Sequence, residues 1–123
     1  MSSLSIECLF ESAVKIFLFE DGAVTITFSK EGIHVRFPTT RRLAEYLKVP
    51  HYYILPYFAM MEEQELVTRA ERVGILTTSK GTQKIVSVMA ELYPQNCADL
   101  MGSTIFGEVV RMTRPEEQER NTS

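Results

Sequence analysis

Cysteine is scarce. Only Cys8 and Cys97 occur in 123 residues, far apart and outside any CxxC pair. That excludes a disulfide framework and a zinc knuckle, and it points to a reducing compartment in which both thiols act as small buried hydrophobes. Glycine and proline number six and five, too few for a collagen-like or low-complexity chain. No apolar run approaches the roughly 18 residues of a membrane span. The first residues, Met1 to Glu7, offer neither a basic stretch nor a clean apolar one, so no membrane association and a cytoplasmic location are expected. Catalytic signatures are missing too: there is no GxSxG, HExxH, P-loop or GxGxxG. The two histidines, His34 and His51, lie in different elements without a partner at metal-ligand spacing. The expectation is a protein that is not an enzyme and carries no metal and no cofactor.

What is present is a balanced globular composition, 45% apolar and 24% charged. A chain of this mass buries about two-thirds of its extended surface, enough for one core without covalent staples. Net charge is −3, which argues against a coat protein held to nucleic acid by bulk electrostatics. The charge is nevertheless segregated: windows 33–50 and 68–86 each sum to +3, while 1–32, 51–67 and 87–123 each sum to −3. An anionic partner would be met by Arg36, Arg41, Arg42 and Lys48 in the first basic window, or by Arg69, Arg72, Lys80 and Lys84 in the second.

Along the chain, residues 4–20 read two ways. Ile6, Leu9, Phe10, Ala13 and Phe17 have helical spacing, whereas Val14 to Phe19 is a β-rich apolar run. Asp21-Gly22 is accordingly either a two-residue hairpin turn or the stop of a helix. A hairpin over 23–37 is expected from the alternation of Val24 to Phe28 and of Ile33, Val35 and Phe37 about Lys30-Glu31-Gly32. Thr39 or Thr40 then caps a helix from Arg41 to about Lys48 that buries Leu43, Ala44 and Leu47. A second helix follows Val49-Pro50 to about Gln64 and buries Ile54, Phe58 and Met61. Extended segments flank a turn near Val73-Gly74, and Thr78 or Ser79 caps a long helix ending at Pro94. Residues 95–112 look partly helical, with apolar positions interrupted by Gly102 and Gly107, and Arg114 to Ser123 form a polar, mobile tail.

Leu43-Ala44-Glu45-Tyr46-Leu47-Lys48-Val49, then Ile54, Phe58 and Met61 to Val67, followed by Ile75-Leu76-Thr77-Thr78-Ser79-Lys80-Gly81, resembles winged helix-turn-helix regulators of the MarR, PadR and GntR kind. The resemblance covers about residues 33–90. It implies a winged-helix core over 33–90; with the segments read on either side, the expected fold is α+β, with an N-terminal β-hairpin extension over 1–32 and a C-terminal helical segment over 91–113. Together these form one domain over 1–113, with 114–123 as the tail. It also implies a homodimer paired through the terminal helices, whose apolar faces at 85–93 and 100–110 exceed what one small domain needs.

In such proteins the second helix enters the major groove. Here its outward face would present His51, Tyr52, Tyr53, Leu55, Pro56 and Ala59. That face holds none of the Arg, Lys, Asn or Gln side chains that pair with base edges. Arg41, Arg42, Arg69, Arg72 and Lys80 could contact flanking phosphates, with His51, Tyr52 and Tyr53 approaching the groove. Pro56 either sits in the helix, at a cost of ~3 kcal/mol, or begins it and leaves 50–55 as an irregular aromatic connection. Two functions follow. One is a transcriptional regulator binding double-stranded DNA; the other is a winged-helix module that has lost base readout and binds a protein through Tyr52, Tyr53 and Pro56.

Overall fold

The computed structural model describes residues 4–114, so most of the expected tail lies outside the described residues. The N-terminal ambiguity resolves as helix. Ser5 accepts a hydrogen bond from the Cys8 N–H at 3.0 Å and opens α1 (Ile6–Lys15), which runs on as a π-helical segment, Ile16–Asp21. Gly22, at φ 62°, ends it in the left-handed conformation, and the N–H groups of Gly22 and Ala23 both return to the Phe17 carbonyl. Asp21-Gly22 is thus a helix stop and not a hairpin turn. The β-rich run loses because Leu9, Phe10, Ala13, Val14, Ile16 and Phe17 can all be buried only on a helix enclosed on several sides.

The expected N-terminal β-hairpin extension over 1–32 is therefore corrected. The hairpin present joins β1 (Ile26–Ser29) to β2 (Gly32–Phe37) across Lys30-Glu31, with Ile26 opposite Val35 and Phe28 opposite Ile33. It is no appendage, because β2 also pairs with the second hairpin. β3 (Val67–Ala70) and β4 (Gly74–Thr77) complete a four-stranded antiparallel sheet in the order β1-β2-β4-β3.

Between the hairpins, Thr39 caps α2 (Thr40–Leu47) by accepting the Arg42 N–H at 3.0 Å. Lys48, at φ 60°, terminates it, and Lys48-Val49-Pro50 turn the chain into α3 (His51–Glu63). Pro56 lies inside α3, which continues through it unbroken. The Tyr52 carbonyl loses its usual donor there, on a face exposed to water. Thr78 caps α4 (Ser79–Leu92), and Pro94 begins α5 (Pro94–Met101). The partly helical stretch proves to be two helices, since Gly102 at φ 91° separates α5 from α6 (Ser103–Met112), while Gly107 is accommodated within α6.

One core joins these layers. Phe37 of β2 makes edge contacts with Phe10 of α1 at 5.1 Å and Phe58 of α3 at 5.8 Å. Gly81 permits the closest approach: a Cβ there would meet the Leu66 carbonyl oxygen at 1.9 Å. A buried hydroxyl pair closes the junction below it. Thr77 Oγ1 accepts the Val35 N–H at 2.8 Å and lies 2.7 Å from Thr82 Oγ1, which reaches the Ile33 carbonyl. No helix among the described residues is long and apolar enough to cross a membrane.

Candidate interaction surface

α3 is fixed at both ends of its inner face. Ile54, Phe58 and Met61 recur at i, i+4 and i+7 and are buried. At its start, His51 Nε2 lies 2.7 Å from Thr40 Oγ1, which ties α3 to α2. His51 is half-buried and acts as a joint between helices.

The opposite face of α3 is open. Tyr52 is 67% exposed, Tyr53 50%, Leu55 42% and Met60 38%, with Pro56 and Ala59 among them. The two tyrosine rings meet edge to face at 5.0 Å and 75°, forming an amphipathic knob. From His51 to Glu63 the helix carries no Arg, Lys, Asn or Gln. Its C-terminal end is acidic: Glu62, Glu63 and Glu65 are exposed, the last at φ 61°. Met60 is exposed here, while Met61 and Met89 fill the core.

The expected phosphate contacts are dispersed, and most are engaged. Arg42 donates to Asp21 Oδ1 at 2.6 Å and Glu20 Oε1 at 3.3 Å, and these hydrogen bonds raise its pKa further. Arg69 Nε donates to Glu62 Oε2 at 3.1 Å. Lys80 Nζ donates to the Gln64 carbonyl at 3.2 Å and borders a shallow depression of about 420 Å³ shared with Glu62 and Glu65. Of these five, Arg41, on the first turn of α2, and Arg72, at φ 70° in the β3–β4 turn, make neither a side-chain hydrogen bond nor an ion pair among the described residues. Sequence spacing gave no reason to group Arg36 with the β3–β4 hairpin. β2–β4 pairing brings its guanidinium alongside Gly74, where a Cβ would stand 3.9 Å from Nε and Nη2.

The remaining polar candidates are structural. His34 Nδ1 lies 2.9 Å from the Thr77 carbonyl and Nε2 3.1 Å from Ser29 Oγ, so the ring bridges β1, β2 and β4. Cys97 is fully buried, and desolvation pushes its thiol up to about 11. Among the described residues no group of three or more His, Cys, Asp or Glu side chains is placed to hold a metal ion.

No protein-family model matches the chain, and no curated protein matches it significantly.

Proposed function

We propose that this chain is a winged-helix protein whose α3 face docks a protein partner and does not read bases. The fold reading is supported by the order β2-α2-α3-β3-β4, the three-residue turn between α2 and α3, and the pairing of β2 with β4 of the second hairpin. The observation that carries the functional reading is the outward face of α3. Tyr52, Tyr53, Leu55 and Met60 are too exposed for a monomer's economy and too apolar for phosphate or base edges. Exposed tyrosines and methionine are side chains enriched at the centres of protein interfaces. The acidic C-terminal end of α3 favours a partner with apolar anchors flanked by lysine or arginine.

A photo-crosslinking side chain at Tyr53 tests this. It is expected to trap one discrete protein adduct in the source cells, while the same probe at Thr68 on β3 traps none. Equal labelling from both positions, or from neither, would remove the proposal. DNA binding is the second reading, favoured by the unbroken passage of α3 through Pro56 and by the exposed guanidinium groups of Arg36, Arg41 and Arg72.

A further inference from the structure

β1 is the end strand of the sheet, and its outer edge is unpaired among the described residues. The Arg36 N–H donates to the Thr25 carbonyl at 3.0 Å. Antiparallel alternation then turns the backbone groups of Thr25, Thr27 and Ser29 toward β2 and those of Ile26 and Phe28 outward. Edge strands are ordinarily blunted by charge, proline or a bulge. Neither charge nor proline blunts this four-residue strand: no residue from Gly22 to Ser29 is charged and none is proline.

The side chains tell the same story. Ile26 and Phe28 stand opposite the buried Val35 and Ile33, so they occupy the core face of the sheet. The helical layer stops short of them and leaves Phe28 61% exposed. Beside them runs a groove of about 440 Å³ between β1 and α5–α6, lined by apolar residues and glycine only. Ile105 of α6, on its far wall, is 59% exposed.

We propose that a second copy of this chain covers this face by antiparallel β1–β1 pairing about a two-fold axis at Thr27, which makes a continuous eight-stranded sheet. The outward backbone groups dictate that register. Ile26 and Phe28 of one copy exchange hydrogen bonds with Phe28 and Ile26 of the other. A two-fold perpendicular to the sheet keeps both core faces on one side, so each Phe28 packs on the other copy's Ile26 and the two α6 helices approach over them. Thr27 meets Thr27 on the opposite face. Aromatic with β-branched and threonine with threonine are both favourable cross-strand pairs, and the absence of charge from 22 to 29 means that no like charges are opposed. This self-complementarity singles out a second copy over an unrelated strand.

The test combines mass with crosslinking on the full chain. Sedimentation is expected to give twice the chain mass of 14.1 kDa. Phe28→Lys is expected to weaken association by about tenfold or more, because it places two like charges at the dyad. In the proposed register the two Thr27 positions form a non-hydrogen-bonded pair within disulfide reach, whereas the two Lys30 positions are about 20 Å apart. Thr27→Cys is therefore expected to form a covalent dimer roughly tenfold faster than Lys30→Cys. Both sites are exposed, so folding is not at issue. A monomeric chain would overturn the proposal. So would a dimer that is indifferent to Phe28→Lys and links no faster through position 27 than through position 30.

Discussion

Replacing Gly81 with alanine tests the seating of α4 on the second hairpin. The added Cβ would lie 1.9 Å from the Leu66 carbonyl oxygen and 2.9 Å from its carbon, both backbone atoms that cannot swing away. Reaching an ordinary contact requires a displacement of roughly 1.5 Å, and overpacking of this kind costs about 1–3 kcal/mol. The same displacement pulls Thr78 from Leu66 and Glu65, whose carbonyls accept its N–H at 3.0 Å and its hydroxyl. Each lost hydrogen bond adds about 1 kcal/mol. Alanine's greater helix propensity returns about 1 kcal/mol. The net expectation is a loss of about 3 kcal/mol, read by urea denaturation, with Tm lower by about 10 °C. Gly107→Ala is the matched control. Its Cβ would meet nothing within 4 Å in the middle of α6, so a gain of about 0.5–1 kcal/mol is expected. A Gly81→Ala protein as stable as its parent would refute the close approach of α4 to Leu66.

Other perturbations follow from the same contacts. Pro56→Ala returns a donor to the Tyr52 carbonyl and relieves a helix-interior proline, so stability should rise by about 1–3 kcal/mol in the same denaturation assay. Thr77→Val strands the buried Val35 N–H, while the Thr82 hydroxyl keeps the Ile33 and Thr78 carbonyls, and a loss of about 1–3 kcal/mol is expected from urea midpoints. Burial holds the Cys97 thiol near 11, well above its ordinary value, so at mildly alkaline pH it stays protonated and unreactive. A thiol reagent should therefore titrate only Cys8 quickly in the native protein, and Cys97 only once denaturant is added.

The central part of the chain was legible from its residues. Thr39 and Thr78 announce helix starts by their hydroxyls, and Leu43, Ala44, Ile54, Phe58 and Met61 announce buried stripes by their spacing. These are local signals, and local chemistry decided them. The N-terminal run from Val14 to Phe19 was undecidable because burial on several sides erases the periodicity that separates helix from strand. Gly102 and Gly107 look alike in sequence, yet only Gly102 takes a positive φ that breaks a helix. The apolar outer face of α3 was readable from its composition. The neutralisation of Arg42 and Arg69 was not, because Glu20 and Asp21 lie 21 to 22 positions from Arg42, and Glu62 meets Arg69 only once α3 turns into β3.

Whether the α3 face proposed to dock a protein enters a DNA groove instead is decided by fluorescence anisotropy. Labelled genomic duplex fragments would be titrated with the full chain at two salt concentrations, beside an Arg41→Ala, Arg72→Ala double variant and a Tyr52→Ala, Tyr53→Ala double variant. No saturable binding is expected at either salt, and no difference among the three proteins. Saturable binding that weakens steeply with salt and falls when Arg41 and Arg72 are removed would place those arginines on phosphates and contradict the protein-docking proposal.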